Sequence, residues 1–398
     1  MPHNTHDFCT VDDTADLAAE LAGLRQRLHR HPELGFAEHQ TADCVADALT
    51  SWGYDVTRGI AGTGMVATLR SGTSTRAIAI RADMDALRIT ETTGLPYAST
   101  HAGVMHACGH DGHTTMALGA ARQLARTRRF DGIVHLVFQP AEEVGGNASG
   151  ASRMIAEGLF ERFPCDAIFG LHNHPGYPAG TFMFRSGAFM AASDVAEITI
   201  QGRGGHAARP HQSIDPIVVA STLVLALQGV VSRNIDPLSM AVITVGAFHA
   251  GDAPNVIPGT ATLRLSIRSM DPGVREQLAQ RIRALAESIA HGHGATADVR
   301  YTHGYPVLIN SAAETALAEA VARELVGDAQ VVSPLAPITG SEDFACYLQH
   351  KPGCFLRIGN GEEGAMLHNG AYDFNDANLT IGAAYWARLV ERFLAKAL

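Results

Sequence analysis

Apolar and polar positions follow two different periodicities along this chain. In its first part, Leu17, Leu21, Leu24 and Leu28 recur at helical spacing and predict a helix over 14–31, and a second helix is predicted over 39–52, ending before Gly53. Three short apolar runs follow, each ending abruptly in polar residues. "RAIAIRADMDAL" carries Ile78 and Ile80 and delivers Asp83 and Asp85. "GIVHLVFQPAEE" runs from Ile133 to Phe138 and delivers Glu142 and Glu143. "CDAIFGLHNHP" runs from Ala167 to Leu171 and delivers His172 and His174. Continuous apolar runs of this length suit strands buried on both faces. With helical stretches at 113–126 and 148–158 between them, the order is β-α-β-α-β around a largely parallel sheet.

Past about residue 187 the period becomes two. "VAEITIQG", "AVITVGAF" and "TATLRLSIRS" alternate, with Ala261, Leu263, Leu265 and Ile267 on one face, as in half-buried antiparallel strands. Helices predicted over 213–232 and 272–291 and a strand near 296–301 complete a β-α-β-β-α-β order, the split ferredoxin-like arrangement. The first pattern resumes near 306, with a helix over 312–325, the strand "CFLRIGN" and a closing helix over 380–397. The expected fold class is α/β: a mainly parallel-sheet domain formed by 1–186 and 304–398, into which an α+β ferredoxin-like domain, 187–303, is inserted.

Composition narrows the function more than the fold. A 398-residue chain favours more than one core, and 46% hydrophobic and 18% charged residues describe a globular protein. Forty acidic against thirty basic residues give a formal charge of −10, which disfavours nucleic acid as a partner. The first residues lack a basic and then apolar leader, so the expected location is the cytoplasm. The longest apolar run, "PIVVASTLVLALQGVV", is too short to span a bilayer and reads as a buried helix. Cys9, Cys44, Cys108, Cys165, Cys346 and Cys354 are scattered without a paired framework, as in a reduced compartment.

Only Cys108 has suggestive neighbours. "MHACGHDGH" places Cys108 and His110 two apart in a glycine-containing loop, with His106 and His113 as further candidates among which spacing does not choose. Parallel sheets gather their sites at the carboxyl ends of strands, which brings residues 83–85, 142–143 and 172 to one rim. Adjacent Glu142 and Glu143 suit a division of labour, one to ligate and one to take a proton from an attacking water. Asp83 and Asp85 suit orientation of an imidazole, or ligation. Mixed N, O and S donors favour zinc, manganese, nickel or cobalt over magnesium or calcium. No GxSxG elbow is present, and neither "GTGMVATL" nor "GRGGHAARP" combines strand, GxGxxG and helix as a nucleotide loop would.

"RADMDAL", "GLPYAS", "GVMHACGHDGHT", "FQPAEE", "GLHNHP", "GGHAARPH", "NVIPGTATL", "GSEDF" and "LHNG" occur in the order seen in the M20 metallopeptidase family. From about residue 24 onward the chain resembles the amidohydrolase branch of that family. The resemblance implies Cys108, His110, Glu143, His172 and His368 as ligands of two divalent metal ions (Zn2+, Mn2+, Ni2+ or Co2+), and Glu142 as general base. It implies Asp85 as the aspartate behind the ligands, and Asp83 where other branches carry a histidine ligand. It matches His206 to a histidine of the inserted domain that reaches the other subunit's active site, and Asn255 and Arg268 to groups that handle substrate carbonyl and carboxylate. The implied activity is hydrolysis of N-acyl amino acids in a homodimer or higher homo-oligomer assembled through the inserted domain, acting on a small-molecule substrate with neither nucleic acid nor membrane as partner. Two alternatives stand beside it: a dipeptidase, aminoacylase or N-acetyl-diaminopimelate deacetylase of the same family, and a non-catalytic metal-binding protein.

Overall fold

The computed structural model describes residues 15–396, so the leader reading and Cys9 lie outside the described residues. It divides into two compact units, one formed by Met1–Gly187, Ile309–Ala336 and Asp343–Leu398, the other by Ala188–Leu308 and Pro337–Glu342.

The first unit is built on an eight-stranded sheet in the order Asp55–Ile60, Gly64–Ser71, Gly132–Gln139, Ala77–Asp83, Ala167–His174, Gly353–Gly359, Phe182–Met183, Val331–Val332. Its centre is parallel: Ala77–Asp83 runs alongside both Gly132–Gln139 and Ala167–His174, and Gly353–Gly359 alongside the latter. These four strands are buried almost without a break, which is why their sequences run apolar instead of alternating. Ala77–Asp83 lies between the other two site-bearing strands, so Asp83 and Asp85 emerge between the Glu142–Glu143 turn and His172. The left edge is antiparallel, a hairpin of Asp55–Ile60 and Gly64–Ser71 that extends onto Gly132–Gln139. Sequence patterning does not predict this hairpin. The helices Ala15–Arg30, His110–Thr127 and Ala377–Phe393 pack together, and their apolar faces join the sheet in one core that includes Leu21, Leu118, Phe169, Tyr385 and Trp386.

The second unit carries a four-stranded antiparallel sheet in the order Ala241–His249, Thr260–Ser269, Ala192–Gln201, Thr296–His303. Alternation along Thr260–Ser269 is complete: Ala261, Leu263, Leu265 and Ile267 are buried, and the residues between them face away. Helices Pro216–Asn234 and Pro272–Gly292 cover the apolar face, each starting at an aspartate cap, Asp215 or Asp271, followed by proline. Pro216–Asn234 differs from the buried helix expected. It is long and apolar enough to cross a membrane by length and composition, but it lies as one layer on the sheet, burying Val219, Leu223, Leu227 and Val230. Its outer face leaves Ile217, Val218 and Leu225 at 38%, 52% and 75% exposure, because a helix on a sheet can bury only one stripe.

Candidate metal centre

The loop after the Leu87–Met105 bridge brings the chain to Cys108 and then turns through Gly109, φ 91°, into the helix His110–Thr127. A Cβ at Gly109 would collide with Asn173 Nδ2 and stand 2.6 Å from the Tyr372 hydroxyl, so glycine is required both for the backbone and for space. Asn173 fixes this corner by donating to the Cys108 carbonyl at 2.6 Å while accepting from Tyr372 Oη at 2.8 Å. Neither residue is singled out by sequence reasoning, although both stand inside or beside quoted motifs, "LHNHP" and the stretch after "LHNG".

The donor atoms converge. Those of Cys108, His110 and His172 lie within 4.8 Å of one another, as do those of Cys108, Glu143 and His368, and those of His110, Glu142 and Glu143. Cys108 Sγ is 3.2 Å from His172 Nε2, and His368 Nε2 is 3.0 Å from Glu143 Oε1. His172 and His110 are each held by the nitrogen that faces away from this cluster. His172 Nδ1 sits 2.7 Å from the Asn173 carbonyl, and His110 Nδ1 sits 3.2 Å from Asp85 Oδ1. His110 Nε2 is buried with no hydrogen-bond partner. An imidazole fixed through one nitrogen with its other lone pair free in a buried site is arranged as a metal ligand.

The structure also separates the neighbouring histidines. His113 uses both ring nitrogens, Nδ1 at 2.7 Å from Asp83 Oδ1 and Nε2 accepting from Asn173 N at 3.0 Å, so neither is left for an ion. His106 is buried beside His29 and belongs to none of the converging groups; burial pushes its pKa down to about 4, keeping it neutral. His174, at the end of its strand, lies against Tyr177 and outside the donor groups. Asp83 is matched by the buried Arg81, which donates to it and, at 2.9 Å, to Asp343.

The electrostatics favour a cation. Burial opposes protonation of His110, yet Asp83 and Cys108 raise its affinity for a proton well above the usual range. Hydrogen bonds to Cys108 and Glu143 push His368 up to about 10. Burial, with Arg357 nearby, pushes His172 the other way, well below the usual range, so that its imidazole is neutral and ready to ligate. The negative potential that draws protons onto His110 and His368 is equally available to a metal ion, which displaces those protons on binding. Sulfur, nitrogen and carboxylate donors, buried at Cys108, His110 and His172 and more open at Glu143 and His368, with His110 Nε2 making no hydrogen bond, therefore fit divalent metal ions.

Glu142 and Glu143 follow Ala141, which is left-handed at φ 53°, and open a short turn, Glu142–Val144. Glu142 is buried at 7% exposure. The Glu143 amide donates to Asp85 Oδ2 at 2.9 Å, so Asp85 ties the carboxylate turn to His110. His368 is also left-handed, φ 64°, with its amide held by the Ala107 carbonyl at 2.8 Å. Positive φ in residues with a side chain costs of order 1 kcal/mol and concentrates where geometry is functional.

In the second unit His206 and Asn255 are neighbours. Gly205–His206 pairs with Val256–Ile257, the Asn255 carbonyl accepts from Ala207 N at 3.1 Å, and both side chains are exposed. Arg268 is half-buried on the sheet face opposite the helices, with Nη1 unpartnered, and burial lowers its pKa.

Residues 79–392 match peptidase family M20/M25/M40. The hippurate hydrolase of Campylobacter jejuni is 42% identical to this chain, over 96% of this chain and 99% of that protein. The N-acetyl-L-cysteine deacetylase of Bacillus subtilis is 43% identical, over 86% and 81%. The crystal structure of a dinuclear metal binding peptidase of the M20 family from Bacillus subtilis superimposes with a TM-score of 0.84 at 33% identity, covering 96% of this chain and 99% of that one. The chain belongs to peptidase family M20/M25/M40.

Proposed function

We infer that this protein is a metal-dependent amidohydrolase that cleaves N-acyl amino acids into a carboxylic acid and a free amino acid. The observation that carries this reading is the buried carboxylate of Glu142 set beside overlapping donor groups, Cys108 with His110 and His172 and Cys108 with Glu143 and His368. A storage site has no use for a base next to its ligands. The similarity to hippurate hydrolase and to an N-acetyl-L-cysteine deacetylase supports an N-acyl amino acid as the substrate class.

Two divalent ions, of zinc, manganese, nickel or cobalt, would be held by these five residues and when bound would supply Lewis-acid polarisation of the amide carbonyl. Glu142 accepts the proton of the attacking water and later delivers it to the leaving amine, a role that requires a carboxylate sheltered from bulk solvent. Asp85 holds His110 and the Glu143 amide, keeping ligand and base in register. His206 from a second copy offsets the oxyanion charge, and Asn255 and Arg268 engage the substrate carbonyl and carboxylate. The exposed apolar stripe of Pro216–Asn234 supports assembly of a homodimer through the second unit, and the acidic charge balance supports a small-molecule substrate over nucleic acid. A cytoplasmic location fits the scattered free thiols.

The test is amine release from a panel of N-acetyl, N-benzoyl and indole-acetyl amino acids and of dipeptides, with the apoprotein reloaded with each metal in turn. Metal-dependent cleavage of the N-acyl amino acids is expected. Preference for free dipeptides would move the reading to a peptidase, and no turnover by fully loaded protein would leave metal binding alone.

A further inference from the structure

Glu38 occupies the N-cap of the helix His39–Ser51, where a side chain ordinarily accepts from the first free N–H groups, yet it makes no such bond. Glu33 takes that task, accepting from Gln40 N at 3.0 Å and Thr41 N at 2.9 Å. The Glu38 carboxylate turns inward and is wholly buried, accepting from Thr63 Oγ1 at 2.5 Å and from Ala141 N at 2.8 Å. Burying a carboxylate is costly, and nothing about the helix requires it.

What Glu38 holds is the residue before the base. Ala141 is left-handed at φ 53°, ψ 45°, and its carbonyl is also fixed, accepting from Gly150 N at 3.0 Å. On the other side of Glu142, the Glu143 amide is held by Asp85 at 2.9 Å. Gly35 closes the turn from beneath: a Cβ there would lie 2.9 Å from Ala141 Cβ and 2.8 Å from Val144 Cγ2.

We propose that Glu38 is a positioning residue for the base, its carboxylate and that of Asp85 clamping the backbone N–H groups of Ala141 and Glu143, the residues on either side of Glu142. The proposal rests on the reading of Glu142 as base and extends it to a residue about a hundred positions away. The clamp needs an acceptor, not a charge. Glutamine at 38 keeps the carbonyl that receives the Ala141 N–H, and the Thr63 hydroxyl can accept from its amide instead of donating.

The test compares Glu38→Ala and Glu38→Gln for kcat, KM, bound metal and amide exchange of residues 138–146. Glu38→Ala should lose about 100-fold in kcat, the scale of a small misplacement of a reacting group. KM and metal content should stay near wild type, and exchange of the segment should rise. Glu38→Gln should keep most of kcat and native-like exchange. Wild-type kcat or exchange in Glu38→Ala would overturn the clamp, as would a glutamine variant as damaged as the alanine one. Should Glu38→Ala fail to fold, Thr63→Val, which frees the other carboxylate oxygen, is expected to lower kcat and raise exchange in the same segment; no change in either would overturn the proposal. Should wild-type protein hydrolyse no N-acyl amino acid, the functional reading falls, and the exchange comparison alone decides the clamp.

Discussion

At the scale of single residues the site is made by what each side chain leaves unused. His113 and His110 stand one helical turn apart with similar burial, but His113 spends both nitrogens on Asp83 and Asn173 while His110 Nε2 makes no hydrogen bond and lies 3.8 Å from Asp83 Oδ2. Spacing cannot reveal this difference, because the partners at Asp83, Asp85 and Asn173 come from other strands. Gly109 shows the same logic for the backbone. Gly109→Ala should destabilise the fold by about 1–3 kcal/mol through left-handed strain and overpacking against Asn173 and Tyr372. It should also weaken metal retention, since Cys108 and His110 flank it. Thermal unfolding and metal content after dialysis check both; a variant with wild-type stability would show that the corner tolerates a side chain.

At the scale of elements, the three strand-end motifs are legible because a continuous apolar run that meets an abrupt polar pair is the pattern of a buried strand reaching the rim of its sheet. The period-two strands of the second unit are equally plain. The edge hairpin Asp55–Ile60 with Gly64–Ser71 is not. Its inner strand is buried along nearly its whole length and opens on glycine, so no alternation marks it. The Glu38 and Asp343 contacts are hidden for a related reason: a buried carboxylate looks like a surface one until its partners, here Ala141 and Arg81, are brought close by the fold.

Asp194 is the corresponding case in the second unit. It accepts from Arg275 at 2.6 Å, Gly304 N at 2.9 Å and Tyr301 Oη at 2.9 Å, tying Ala192–Gln201 to Thr296–His303 and to Pro272–Gly292. Burial works against its ionisation, but the Arg275 and Gly304 hydrogen bonds outweigh it and hold the carboxyl below the usual range. A depressed folded-state pKa means that the stabilisation is complete above the unfolded value, about 3.9, and is lost as pH falls through the lower folded value. Asp194→Asn should cost about 3 kcal/mol at neutral pH, with the gap from wild type closing on acidification. Melting temperatures measured from pH 7 to 3 check this, and a gap that widened in acid would refute the assignment.

At the scale of the whole molecule, the second unit presents an uncharged helical face with Val218 and Leu225 exposed, on the same unit as His206 and Asn255. If that face joins two copies, placing a charge in it should break the assembly. Leu225→Glu is expected to shift the mass in solution from dimer to monomer and, because His206 then has no second site to complete, to reduce turnover together with His206→Ala. Light scattering and activity on the same samples check the pair of effects. A monomeric variant with full activity would separate His206 from catalysis.

The proposed mechanism turns on Glu142 as a base that is not itself needed to hold metal. The most direct measurement is bound metal and turnover, on one N-acyl amino acid, for wild type and Glu142→Gln side by side. Retained divalent metal with kcat lower by about 100-fold or more is the predicted result, in line with the contribution of general base catalysis. A glutamine variant that kept its metal and its turnover would contradict it.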